Sequence, residues 1–446
     1  MRQAASTPVG IVYPLAVMLP LTLGFSTYAL LPGGVGGATI QKALILFAFL
    51  IVAALLGVRM PPMPVWVIGG VIVAAYVLGL ITQAREISGI DTEMLLGAAG
   101  LLYPWLAFFI DWRRVAPEWR AMSLAVMPAG AVVVSVLLGG TGVVDMTIIR
   151  EEYTGAFRLS AGMPSAYLAG LALIGVMGAA WLWARGRWVG PYLALLNCAI
   201  VALTGTRVAT LAAGLVLAGA LVLALIRKLP QRIPALALSV VGLIGALVVL
   251  LPNFLQRTRE SGRGGLFDGS GRDQAWSYFW SRLLEHPWAG FGPGSSPLLA
   301  GESSNHVVRE SFLSPHNTYL TMAADMGIPL AIVFFFALGW TVWGVWRRAG
   351  GSERWVVLLA CSAALIYAYF DNLLTAPQSA VAFVMFLAMM GAGARVGTPD
   401  QDSEGDASVL SPGSRREESR DLLAGRKGSP RREWRDRREA EGTTAE

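Results

Sequence analysis

Long apolar runs alternate with short polar connections along nearly the whole chain. A run of about 20 apolar residues crosses a bilayer core as a helix. The pattern predicts an all-α, polytopic membrane protein with about twelve transmembrane helices. They fall near residues 11–31, 38–58, 63–82, 93–111, 120–138, 162–184, 188–204, 208–227, 233–251, 317–346, 355–373 and 378–396. One stretch breaks the alternation. From 252 to 315 the chain turns polar, with arginines, a glycine-rich run from Gly290 to Ser295, and two of the three histidines, His286 and His306. His316 follows immediately. A polar segment of this length cannot lie in hydrocarbon, where its backbone groups would go unpaired. Its aromatic residues, Trp276, Tyr278, Phe279, Trp280 and Trp288, argue for an ordered structure. The chain therefore divides into helices one to nine (1–251), a large loop that carries the candidate chemistry (252–315), and helices ten to twelve (316–397). A tail, 398–446, has too few apolar residues for a core and is predicted to be disordered.

Composition agrees with the pattern: 55% of residues are apolar and only 14% charged, which excludes an ordinary soluble domain. The formal charge of +6 comes from arginines in short loops and is no sign of nucleic-acid binding. Arg59, Arg113, Arg114, Arg120, Arg185, Arg187, Arg227, Lys228, Arg232, Arg347, Arg348 and Arg354 fall in one set of alternate connections. The positive-inside rule makes that set cytoplasmic, with both termini, and turns the large loop outward, to the periplasm in a bacterium. No cleavable signal peptide is expected at the start. Cys198 and Cys361 fall within spans, so neither a disulfide nor a metal site is expected from them.

Few residues outside the spans can carry chemistry. Ser314 suits an N-cap and Pro315 a first helical position, which puts His316 and Asn317 in the first turn of the tenth helix. The helix dipole there disfavours imidazolium, leaving a neutral base ready to take a hydroxyl proton. The other reading is a histidine satisfied by local hydrogen bonds. Arg207, between two spans, presents a planar fork that suits a diphosphate, or else reaches to lipid phosphates. Arg272 follows Gly269-Ser270-Gly271, small residues that let a phosphate approach, or else it is an exposed arginine at a helix start. Arg158 could gather an anionic substrate or anchor the interface. Asp371 ends the eleventh span and could orient a sugar hydroxyl or an arginine, or simply cap its helix. The glycine-rich run lacks a P-loop lysine and reads as tight turns. The acid pair Glu151-Glu152 reads as a solvated loop.

Four places resemble the O-antigen ligase and O-antigen polymerase family of bacterial inner membranes. They are Thr204-Gly205-Thr206-Arg207; Gly271-Arg272 with Trp276; Glu285-His286-Pro287-Trp288-Ala289-Gly290-Phe291-Gly292-Pro293-Gly294; and His316-Asn317 with Gly327 after nine intervening residues. Pro329 stands where the family often has a second glycine, a change expected to act on helix packing. The resemblance covers about residues 155–390. It implies a GT-C-like membrane fold with a periplasmic loop between helices nine and ten. It also implies transfer of glycan from undecaprenyl diphosphate to a sugar hydroxyl of lipid A-core, without metal or cofactor. By position, His316 would be the general base, with Arg207 and Arg272 binding the diphosphate. Arg158, Asn317 and Asp371 are the further substrate-binding candidates. An O-antigen polymerase or a protein O-oligosaccharyltransferase would use the same donor and differ only in acceptor. A transporter is the reading from another class. It fits less well, because the charges gather at one membrane face and no internal repeat is visible.

Overall fold

Helices stand at each expected span that the structure, a computed structural model, describes. The described residues are 35–83, 90–140, 148–150, 157–227, 272–312 and 314–393. The expected spans at 11–31 and 233–251, the Glu151-Glu152 pair, residues 252–271 of the loop and the tail lie outside them. In chain order the helices are α1 (Val35–Leu56), α2 (Met63–Gln83), α3 (Ile90–Leu102) and α4 (Pro117–Gly140). They continue with α5 (Ser165–Ala184), α6 (Val189–Leu203) and α7 (Arg207–Ile226). In the loop lie α8 (Arg272–Glu285), α9 (Ser296–Gly301) and α10 (His306–Ser311). The chain then forms α11 (Thr318–Arg348), α12 (Glu353–Phe370) and α13 (Pro377–Met390). Two 3-10 stretches, Tyr103–Phe109 and Trp112–Arg114, follow α3. Among the described residues, 6 helices are long and apolar enough to cross a membrane, and shorter apolar helices accompany them. This is a polytopic, mostly helical membrane protein. One departure from the all-helical expectation is a small antiparallel ribbon, in which β1 (Ile148–Arg150) pairs with β2 (Phe157–Leu159).

The core forms around α5, which is buried along almost its full length. Small residues make this possible, since helices in lipid associate by close packing rather than by the hydrophobic effect. Gly170 admits Ser379 of α13 and Tyr367 of α12, Gly175 admits Asn197 of α6, and Gly178 lies against the Ala121 carbonyl of α4. The buried Asn197 amide donates to the Ala125 carbonyl at 2.7 Å, a polar link between α6 and α4.

The long helix α11 is broken at Gly327, whose φ of 76° and ψ of 160° are not helical. The cause can be read from the residues. Pro329 has no N–H, so the Asp325 carbonyl four residues earlier loses its helical donor. The loop supplies replacements: Gly292 N–H donates to the Asp325 carbonyl at 2.8 Å and Phe291 N–H to the Ala324 carbonyl at 2.8 Å. In exchange, Ile328 N–H donates to the Pro287 carbonyl at 2.8 Å. The fit is close enough that a Cβ on Gly327 would overlap the Trp288 carbonyl. The glycine-rich run does form turns, with positive φ at Gly290, Gly292 and Gly294, and those turns fill the helix break. The buried Asp325 carboxylate completes the joint by accepting from Gly294 N at 3.1 Å, Ser295 Oγ at 3.3 Å and Ser296 Oγ at 3.4 Å.

The loop also has an apolar centre of its own. Ala275, Phe279 and Leu283 recur at helical spacing on α8 and are buried. Phe279 packs in one cluster with Phe291, Leu299, Ala300 and Val308, which ties α8, the glycine turns, α9 and α10 together.

Candidate active site

The start of α11 differs from the sequence expectation. Asn317, not Ser314, is the N-cap: its φ is −150°, and its side-chain oxygen accepts from Leu320 N–H at 3.0 Å. His316 therefore stands outside the helix rather than in its first turn, in a left-handed conformation with φ 49°. The dipole argument for this histidine loses its basis, because that effect is confined to the terminal turn. Another device takes its place. The Nδ1 atom of His316 lies 3.5 Å from Oδ1 of Asp371, the C-cap residue of α12. The carboxylate is nearly buried, while the imidazole is 33% exposed. A carboxylate at Nδ1 favours the N–H there and so leaves Nε2 as the acceptor. The separation is long for a hydrogen bond, as is common before substrate draws such a pair together. Phe312 supports the ring edge-on, with centroids 5.7 Å apart.

Further contacts fix Asp371 against His316. Thr318 Oγ1 donates to the Asp371 carbonyl at 2.8 Å, Asn372 N–H to the Asp371 carboxylate at 2.8 Å, and Asn372 Nδ2 to Ser314 Oγ at 2.7 Å. Sequence reasoning gave Asp371 a sugar hydroxyl or an arginine as partner and missed the histidine. Tyr367, one turn earlier on the same face of α12, was missed altogether. Its hydroxyl donates to the Ala166 carbonyl at 2.9 Å and interacts with the Asp371 carboxylate.

Arg272 is the first residue of α8 and is half-buried. Trp276, one turn on and on the same face, anchors it: its indole donates to the Pro315 carbonyl at 2.7 Å. The same ring packs on Tyr369 and Phe370, with centroids 5.4 Å and 6.3 Å away. Trp276 thus touches the residues just before both His316 and Asp371. Arg272 is close enough for its charge to act on the Tyr367 hydroxyl.

Arg207 opens α7, and packing fixes its level in the membrane. Gly219 of α7 lies against Leu359 of α12, and Arg227 just after α7 lies against Gly351 just before α12. The helices are therefore antiparallel. Gly219 is twelve residues after Arg207 and Leu359 is twelve residues before Asp371, so these two ends stand at one height. Arg158, on β2, donates through Nε to the Thr204 carbonyl at 2.8 Å, in the turn that leads into Arg207. Left-handed Ala161 and Gly162 then turn the chain into α5. Arg158, Arg207, Arg272, His316, Asn317 and Asp371 thus all belong to one end of the bundle. His286 and His306 do not join them: His286 packs on Phe291 at 4.8 Å and His306 opens α10. Among the described residues, no three His, Cys, Asp or Glu side chains gather where they could hold a metal ion.

The arrangement offers a proton acceptor backed by a buried carboxylate, with guanidinium groups on neighbouring elements. That set can deprotonate a hydroxyl and stabilise an oxyanion leaving group. The chain matches no curated protein. Its residues 192–335, from α6 into α11, match the family model described as O-antigen ligase. Members of that family are glycosyltransferase-like enzymes of ligase and polymerase type. The matched stretch includes Arg207, Arg272, His316, Asn317 and the Gly327 break, and over it the chain is similar to the O-antigen ligase family.

Proposed function

We propose that this protein is an O-antigen ligase, which transfers glycan from undecaprenyl diphosphate to a sugar hydroxyl of lipid A-core. The reaction takes place at the periplasmic face of a bacterial inner membrane, in a GT-C-like bundle of about twelve spans. The observation that carries the reading is the His316–Asp371 pair, set at the same end of the bundle as three arginines. The donor is already activated, so the enzyme must remove one proton and hold one anion. His316 Nε2 takes the proton from the acceptor hydroxyl, and Asp371 stabilises the imidazolium that forms. The hydroxyl oxygen bonds to the anomeric carbon as the bond from that carbon to the diphosphate breaks. Arg207 and Arg272 hold the departing diphosphate, and Arg158 helps gather it. Asn317 uses its side-chain oxygen as the helix cap, so its amide NH2 is the end that would meet substrate. A single displacement of this kind inverts the anomeric centre and needs no metal. An O-antigen polymerase differs in acceptor alone. The test is reconstitution with a lipid-diphosphate glycan and two competing acceptors, lipid A-core and a second lipid-linked repeat. Product on lipid A-core is expected; product only on the lipid-linked repeat would overturn the ligase assignment.

A further inference from the structure

The end of the bundle opposite His316 carries a second group of cations, unused by the chemistry above. Arg348 closes α11, whose other end begins beside His316. Arg59 lies on the turn between α1 and α2, held there by its backbone N–H on the Phe109 carbonyl at 2.6 Å. The two arginines line one shallow cleft, together with Phe108, Trp112, Ala388 and Gly391. Among the described residues, no carboxylate lines it. Asp111, whose charge acts on Arg59, is engaged by Arg113 at 2.7 Å and Arg114 at 3.8 Å. Among the described residues, the Arg59 guanidinium makes no hydrogen bond or ion pair. Burial, with the like charges of Arg113 and Arg348, holds it below the ordinary guanidinium range, and Asp111 offsets this only in part.

Helix capping does not account for Arg59, and Arg348 in the last turn of α11 caps a neighbouring helix only weakly. Among the C-terminal carbonyls of α13, those of Met389 and Gly393 are taken by Arg120 at 2.5 Å and 2.8 Å. Arg348 reaches the Gly391 carbonyl only at 3.5 Å. A second feature lies beside the cleft. Val58, Met60, Met63 and Trp66, around Arg59 in the chain, are exposed by 74%, 78%, 64% and 50%. Apolar side chains this exposed, on a membrane protein, meet acyl chains. The cleft is short of negative charge and its rim is apolar, so its occupant should be both anionic and greasy. Basic pockets between membrane helices suit such headgroups.

We propose that this cleft binds an anionic phospholipid, its headgroup phosphate held between the Arg59 and Arg348 guanidiniums and its chains along Val58, Met60, Met63 and Trp66. Free phosphate shares the headgroup chemistry and lacks the chains. The test uses the full chain in phosphatidylcholine nanodiscs titrated with phosphatidylglycerol, with bound lipid counted by native mass spectrometry. Each arginine removed should weaken retention about fivefold, so R59Q/R348Q should lose most of the bound phosphatidylglycerol. R347Q, an exposed neighbour outside the cleft, should keep it. Thermal unfolding in pure phosphatidylcholine checks that each variant is folded. Should R59Q/R348Q fail there, R59K/R348K carries the test, since losing the guanidinium forks should still weaken retention. Equal retention by wild type and the double variants, or an equal loss in R347Q, would overturn the site. Displacement of the lipid by an equal concentration of inorganic phosphate would overturn its assignment to a lipid.

Discussion

Replacing Gly327 with alanine should release the glycine-rich turn from α11. The backbone at φ 76° and ψ 160° is open to glycine and strained for any residue with a Cβ. Holding alanine there costs about 1–3 kcal/mol. The added methyl would also overlap the Trp288 carbonyl, which is backbone and cannot swing aside. Relieving that overlap pulls apart the three backbone hydrogen bonds that join Pro287, Phe291 and Gly292 to Ala324, Asp325 and Ile328. Each contributes about 1 kcal/mol net. The joint should therefore weaken by at least about 3 kcal/mol, which corresponds to an increase in local opening of about a hundredfold. Hydrogen–deuterium exchange in nanodiscs reads this at the Phe291, Gly292 and Ile328 amides. Gly70→Ala is the control, since nothing lies within 4 Å of a Cβ there. It should leave exchange unchanged and the protein slightly more stable. Wild-type protection in Gly327→Ala would refute the view that the loop is seated by the helix break.

Other outcomes follow from the site. Asp371→Asn should lower turnover by about a hundredfold or more while substrate affinity stays near wild type, because an amide can present its NH2 to Nδ1 and favour the wrong tautomer; unchanged turnover would remove the pair's role. Arg207→Lys should lower transfer by about tenfold or more, since an ammonium lacks the planar fork, and wild-type rates in that variant would count against a bidentate diphosphate contact. Treatment with a chelator should leave transfer intact, whereas a loss restored by adding a divalent ion would contradict proton transfer and arginine electrostatics as sufficient.

Much of the architecture was legible because the bilayer imposes it. A span must be apolar over a fixed length, so α1 to α7 and α11 to α13 stand where hydropathy put them, whereas α8 to α10 lie in the polar loop and were not foreseen. The start of α11 was harder. Ser314-Pro315 is a sound helix-start signal, yet Asn317 caps as well as serine does, and the left-handed turn at His316 settles the choice for Asn317. Pro329 was expected to act on helix packing, but neither the break at Gly327 nor its repair was foreseen, since Pro287 to Gly292 arrive from a distant part of the chain. Arg158 and Arg207 were singled out by their positions at span ends, and Arg272 by the small residues before it. The Asp371 partnership with His316 was not, because the two residues come from different helices and no local pattern links them.

The central claim is that His316 removes the proton from the acceptor hydroxyl. Its most direct test is single-turnover transfer by His316→Ala from a lipid-diphosphate glycan, with the folded, membrane-inserted variant at enzyme excess. Loss of transfer with donor binding retained is the expected result. Transfer at the wild-type rate would contradict the account.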